Sequence, residues 1–205
     1  MKIEVFKSLT IPEIKVIRFS RFADNRGFFT EVYNLTDITK LGYNWKIAQV
    51  NESYSIAPAI RGLHFQWNPY MGKLVRTVQG HMVDLILDIR LNSPTFGKLI
   101  GYDMPSLSDE KFNEWIWIPP GFAHGNLYLE NTTIQYLCSG EYNSSCESGI
   151  SPMSKDIDIS LCDENIANIF NHLKNDKNLK ISDKDREGQS LKQWVQNINS
   201  KNFIY

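Results

Sequence analysis

The sequence predicts one all-β domain, an antiparallel sandwich or barrel that carries short peripheral helices, mainly in its C-terminal part. Three observations predict it. Short segments rich in β-branched and aromatic residues recur at close spacing between residues 46 and 138, separated by Gly, Pro and Asn, which is the rhythm of antiparallel strands and not of parallel α/β units. From Met82 to Arg90 the period of two is explicit, with Val83, Leu85, Leu87 and Ile89 on one face and Asp84, Ile86, Asp88 and Arg90 on the other. After about residue 150 the composition shifts to Asp, Asn, Lys and Ser, and Ile166, Ile169 and Phe170 fall on one helical stripe.

Taken in order, residues 1 to about 30 give short strand-like pieces, among them Ile14 to Phe19, then a turn at Ala23-Asp24-Asn25-Arg26-Gly27 and the apolar Phe28-Phe29. This is an N-terminal arm or first hairpin. Thr36 to Gly42 has a capping residue, one or two helical turns and a terminating glycine. Strands are then expected at 46–52, 62–66, 74–78, 82–90, 97–104, 114–118, 125–129 and 133–138, and helices at 164–173 and 191–198, so that about 163–205 lies on the outside of the β core. The aspartate-rich Ile181-Ser182-Asp183-Lys184-Asp185 between those helices is, on composition, a solvated turn.

At 205 residues and 42% hydrophobic residues the chain suits one well-buried domain, residues 1–205, and is short for two. A formal charge of −1 provides no global field for nucleic acid, so any anion must be held by a local cluster. Cys138, Cys146 and Cys162 are odd in number and lack paired spacing, which argues against a disulfide framework or a zinc site and reads as reduced thiols. The opening Met1-Lys2-Ile3-Glu4-Val5-Phe6-Lys7 lacks the apolar core of a secretory signal, and no apolar run approaches the roughly 20 residues that span a bilayer. The expectation is a soluble, cytoplasmic protein with no membrane partner.

Chemistry concentrates in Arg61-Gly62-Leu63-His64-Phe65-Gln66 and, after a short loop, Lys73-Leu74-Val75-Arg76. Two cations and a histidine where a half-buried strand should run imply an anionic ligand or a carboxylate, because burying positive groups together is otherwise costly. Strict alternation places Arg61 and His64 on opposite faces, so a shared ligand requires the strand to begin at or after Gly62. Pro119-Pro120-Gly121 fixes a tight turn before a strand carrying His124, which is expected in the same cavity as His64. Asp84 is a surface residue if its face meets water and a site candidate if that face lines a barrel mouth.

Asp24-Asn25-Arg26-Gly27-Phe28-Phe29-Thr30-Glu31, Gln49-Val50-Asn51, Arg61 to Gln66, Gly72 to Arg76, Asp88-Ile89-Arg90, Ser93 to Gly97 and Pro120 to Gly125, in that order, resemble the dTDP-4-dehydrorhamnose 3,5-epimerases, cupin-fold enzymes of deoxysugar biosynthesis. The resemblance implies a cupin jelly roll, a homodimer with exchanged N-terminal strands, a nucleotide-sugar substrate that is dTDP-linked, and no metal or other cofactor. Residue by residue it implies His64 as general base with Asp185 as its partner, Lys73 as the cation at the enolate and Tyr136 as the opposing acid, with Tyr142 a rival for that place. Arg61 and Arg26 would take the pyrophosphate, Arg26 reaching into the neighbouring subunit, while Glu31, Gln49, Asn51 and His124 match positions lining the sugar or nucleotide pocket. The chain departs from the family pattern at Leu137, where a lysine is usual, at Asn126, where phenylalanine commonly follows His-Gly, and at Ser151-Pro152-Met153.

The chemistry explains why those residue types belong together. A carbon-bound proton beside a 4-keto group is removed only by a base acting with a fixed cation or donor at the carbonyl oxygen, and inversion needs a second acid across the ring. The function expected is therefore epimerisation of a nucleotide-linked 4-keto-6-deoxyhexose at C3, C5 or both, within deoxysugar or surface-polysaccharide biosynthesis. Beside it stand a keto-sugar isomerase on the same substrate class and a catalytically silent sugar-nucleotide-binding cupin. A metal-dependent oxygenase would need His-x-His with a carboxylate, and His64-Phe65-Gln66 replaces that pair.

Overall fold

The computed structural model describes residues 3–43, 46–106 and 111–205. Three strands open the chain, β1 (Ile3–Ser8), β2 (Lys15–Asp24) and β3 (Gly27–Thr30), followed by helix α1 (Leu35–Lys40). The body is built from β4 (Gln49–Ser55), β5 (Ala59–Gln66), β6 (Lys73–Gln79), β7 (His81–Asp88), β8 (Leu99–Pro105), β9 (Phe112–Ile118), β10 (Phe122–Tyr128), β11 (Thr132–Cys138) and β12 (Glu147–Gly149). Helices α2 (Glu164–Lys174), α3 (Asp183–Arg186) and α4 (Leu191–Gln196) close the chain, with a final 3-10 turn at Ile198–Asn202.

The strands form two antiparallel sheets. One runs β1-β2-β9-β6-β11-β4, with β3 added to β2, and the other runs β12-β5-β10-β7-β8. Sequence neighbours are therefore split between sheets, the mark of a jelly-roll sandwich. Its interior is filled at one end by Ile11, Ile14, Val75, Ile86, Ile100, Ile116, Ile118, Phe122 and Ile134. The expected alternation in β7 holds, yet neither face meets water. Val83, Leu85 and Leu87 look outward beneath α2 and α4, where Ile166, Phe170, Leu173, Leu191 and Trp194 cover them, and Asp84 and Ile86 look inward. On the far side of the first sheet Ile38 of α1 packs on Leu74, Trp115, Trp117 and Leu137. Burial of such side chains supplies roughly 1.5–3 kcal/mol each before chain entropy is subtracted.

Local signals explain the boundaries. Asn34 caps α1, Asp163 caps α2, and Ser190 with Gln193 forms a full capping box on α4. The last helix stops at Gln196 and not at 198 because Asn197 takes an extended conformation and its side chain accepts from Asn199 N–H to start the 3-10 turn. The stretch 181–185 is not a solvated turn: Ser182 caps α3, and that short helix buries Asp185. Among the described residues no helix is long and apolar enough to cross a membrane.

Candidate active site

The site begins with a break in the period of β5. His124 pairs with His64 and Asn126 with Arg61, so Gly125 alone stands opposite both Gly62 and Leu63 and the strand is bulged. Gly62 has φ +105°, and a Cβ there would lie 2.6 Å from Gly125 Cα and 2.7 Å from the His124 carbonyl oxygen, so both the backbone angle and the close approach require glycine. The extra residue reverses the phase of alternation. Ile60, Leu63 and Phe65 all join the outer core, while Arg61 and His64 line one cavity. The expectation that the strand must begin at or after Gly62 is thereby corrected: it begins at Ala59, and the bulge performs the turn of phase.

His64 stands beside Asp185, which α3 delivers from the C-terminal segment. The carboxylate accepts from His64 Nε2–H at 2.7 Å through Oδ1 and from Gly62 N–H at 3.2 Å through Oδ2. Burial works to raise the Asp185 pKa, but the hydrogen bond and charge of His64, with the Gly62 and Ser182 bonds, hold it below the ordinary range. An ionised carboxylate only accepts, so the His64 proton sits on Nε2 and Nδ1 is left to take another.

Across the sandwich stand Lys73 on β6 and Tyr136 on β11. Two lobes of about 300 and 310 Å³ meet at His64, Lys73 and Tyr136, which line both. Lys73 Nζ reaches the His64 carbonyl oxygen at 3.4 Å. Burial pulls its pKa down, and Cys138, Asp84 and Glu147 pull it back up. Burial raises the phenol of Tyr136, against the influence of Arg61 and a hydrogen bond with Asn51, so it is protonated at neutral pH.

One lobe is lined by Gln49, Asn51, Gln66, Cys138, Tyr142 and Glu147. Gln49 donates from Nε2 to Asn51 Oδ1 at 2.8 Å and accepts from Tyr142 N–H at 2.8 Å, which ties the Tyr142 loop to β4. Tyr142 itself is 57% exposed, at the rim. The other lobe holds Arg61, His124 and Asn126. Arg61 donates to Ser55 Oγ at 2.8 Å and to the Tyr54 carbonyl oxygen at 3.3 Å, which holds the guanidinium at the mouth. His124 is buried and its Nε2 lies 2.7 Å from Asp84 Oδ1, which also accepts a short bond from Asn126 Nδ2.

Two candidates are not brought there. Arg26 sits on the β2–β3 turn, 85% exposed and paired with Asp24 at 2.7 Å, and Glu31 accepts from Asn34 Nδ2 at 3.0 Å; neither lines these lobes. Sequence reasoning left Glu147, Cys138, Asn126 and Lys184 out of the site. Inward alternation along β10 and β11 could have found Asn126 and Cys138, whereas nothing local marks Glu147, whose side chain pairs with Lys184 at 2.8 Å. Among the described residues no three His, Cys, Asp or Glu side chains converge as a metal site requires.

The family model described as dTDP-4-dehydrorhamnose 3,5-epimerase matches residues 8–193. A Shigella flexneri protein named dTDP-4-dehydrorhamnose 3,5-epimerase is 35% identical over 184 residues, 88% of this chain and 92% of its own length. One of the same name from Sinorhizobium fredii is 39% identical over 148 residues, 71% of this chain and 74% of its own. Among solved structures, dTDP-6-deoxy-D-glucose-3,5-epimerase RmlC from Legionella pneumophila, crystallised with dTDP-4-keto-L-rhamnose, superposes with a TM-score of 0.81 at 28% identity, covering 99% of this chain and 98% of that one. With the jelly roll, and with the motifs of β4, β5, β6 and β10 meeting at one cavity, these matches establish that the chain belongs to the dTDP-4-dehydrorhamnose 3,5-epimerase family.

Proposed function

We propose that this cavity binds a dTDP-linked 4-keto-6-deoxyhexose and inverts it at C3, C5 or both through an enolate. The observation that carries the reading is the position of His64, backed by Asp185, against Lys73 and Tyr136 from the other sheet, all lining one space. His64 Nδ1 takes the proton beside the carbonyl, and Asp185 stabilises the imidazolium that results. Lys73 meets the charge that develops on the carbonyl oxygen, where an ammonium in a partly desolvated site is worth far more than in water. Tyr136 then returns a proton from the opposite face. Arg61 takes the pyrophosphate at the mouth, and Gln49, Asn51, His124 and Tyr142 surround the sugar and nucleotide.

The arm supports a twofold dimer. β3 pairs with β2 at the far end of the first sheet and leaves Phe28 48% and Phe29 68% exposed beside Arg26, so the hairpin suits a second copy that it covers. In that assembly Arg26 and Glu31 serve the neighbour's site.

Incubation of the protein with dTDP-4-keto-6-deoxyglucose in deuterated water tests the reading, with proton NMR locating the deuterium. Deuterium at C3 or C5 together with a new epimer is expected. Tight binding of the nucleotide sugar without any exchange would replace this reading with that of a silent binder.

A further inference from the structure

His64 and His124 are register partners on adjacent strands, and each sets its Nε2 2.7 Å from an aspartate Oδ1. The protein thus holds two histidine–aspartate pairs facing one cavity, of which the reaction described above uses one. The second lies deeper: His124 is 7% exposed, and Asp84 is fully buried behind it. Asp84 lines neither lobe. Its Oδ1 serves both His124 and Asn126, while Oδ2 is buried without a hydrogen-bond partner among the described residues. Such a carboxylate is costly to bury, so it is a poor choice for packing alone.

Resting on the proposed function, we infer that Asp84 is a positioning residue that fixes the tautomer of His124, keeping its proton on Nε2 so that Nδ1 offers a lone pair to a ring hydroxyl of the bound sugar. The charge surroundings favour a neutral ring. Burial pushes His124 below the ordinary histidine range against the pull of Asp84, and Lys73 and His64 add to that push. A neutral imidazole has one donor and one acceptor nitrogen, and the partner of the first dictates the role of the second. With Nε2–H committed to Asp84, only acceptance is left at Nδ1. The sugar offers suitable donors in its C2 and C3 hydroxyls. Their orientation sets which carbon–hydrogen bond faces His64, so one acceptor here orients the reacting ring.

The assignment is read directly in histidine-labelled protein by long-range proton–nitrogen NMR near neutral pH. The expected result is a pyrrole-type Nε2 and a pyridine-type Nδ1 for His124; a ring protonated on both nitrogens, or on Nδ1 alone, overturns the inference. Asp84→Asn should present its amide to Nε2, move the proton to Nδ1, and lower kcat/KM by ~10–100-fold, the size of loss seen when the partner that orients a metal-bound histidine is replaced. That loss should vanish for one of two substrate analogues, 2-deoxy or 3-deoxy, which lack the hydroxyl being held. In a His124→Gln background, whose amide oxygen still accepts, Asp84→Asn should have little further effect. An equal loss in both backgrounds would mean that Asp84 does not act through His124. Should Asp84→Asn fail to fold, the NMR of the unaltered protein decides alone. If instead the unaltered protein exchanges no deuterium into any keto-sugar, the epimerase reading fails and the tautomer result stands apart from it.

Discussion

Tyr136→Phe separates the two faces of the reaction. The substitution keeps the ring that stands between Asn51 and Val75 in the sheet register and deletes the hydroxyl alone. One neutral hydrogen bond to Asn51 is lost, about 0.5–1.5 kcal/mol, so the fold should persist. The proposed base is untouched: His64 and Asp185 remain 2.7 Å apart, and Lys73 keeps its place in the cavity. The enolate should therefore form, and His64 should return the proton to the face it came from. Losing a positioned general acid costs ~10²–10⁴-fold, equal to about 2.7–5.5 kcal/mol of barrier. Inversion should fall by that factor, while deuterium enters the starting epimer at a rate within roughly tenfold of normal. Proton NMR in deuterated water reads both quantities in one tube. If Tyr136→Phe inverts normally and Tyr142→Phe shows exchange without inversion, the acid is Tyr142 at the rim. If both variants keep full activity, the reasoning from two opposed groups fails.

Asp185→Asn puts an amide against His64 Nε2 and forces the imidazole proton onto Nδ1, so turnover should drop ~10³–10⁴-fold with little change in the thermal midpoint; a loss under tenfold by steady-state assay would remove Asp185 from the mechanism. If the proposed twofold dimer forms, His64→Ala and Arg26→Ala proteins should each be weakly active, and mixing them after mild dissociation should restore activity if Arg26 serves the neighbour's site, since one site of each mixed dimer is then intact. No recovery, with mixing verified by mass spectrometry, would place Arg26 outside the neighbour's site. Asp88, fully buried, accepts from Arg90, Ser93 and Thr95, and although burial raises its pKa those bonds hold it below the ordinary 3.8. A depressed carboxyl stabilises the fold above its unfolded pKa and loses that contribution as pH falls through the folded value. Asp88→Asn should therefore be about 3–5 kcal/mol less stable in urea at pH 7, with the gap narrowing below about pH 4, and a gap independent of pH would refute this.

The parts of the fold carried by local chemistry were legible in the sequence. Period two in 82–90, the short helix ahead of Gly42, and the stripe of Ile166, Ile169 and Phe170 are properties of short stretches, and each reappears as an element near its expected bounds, although the first helix is capped by Asn34 and not by Thr36 or Asp37. What failed was phase and distance. Strict alternation misjudged Arg61 and His64 because the extra residue in β5 is visible only against Gly125 of β10, a partner chosen by topology. Asp185 read as a solvated turn residue because its reason for burial, His64, lies far away in the chain, and Ser182 gives the same capping signal whether or not the helix it starts is covered. Asp84 was left between two readings for the same cause, since inward and outward faces of β7 are distinguished only by which sheet covers them. The ordered motifs supplied the long-range information that periodicity lacks.

The attachment of Asp185 to the C-terminal segment gives synthesis of the protein a temporal order. The strands that supply His64, Lys73, His124 and Tyr136 are complete once Gly149 has been made, and Asp185 comes later on a segment that Lys180 ties to β5 and Gln189 ties to β12 and Ser151. The nascent chain therefore has all its strands before it has the helices that cover Val83, Leu85 and Leu87, and before the carboxylate that stands beside His64. On the proposed mechanism, proton abstraction becomes competent only when nearly the whole chain has been delivered, because until then His64 lacks the carboxylate that orients it.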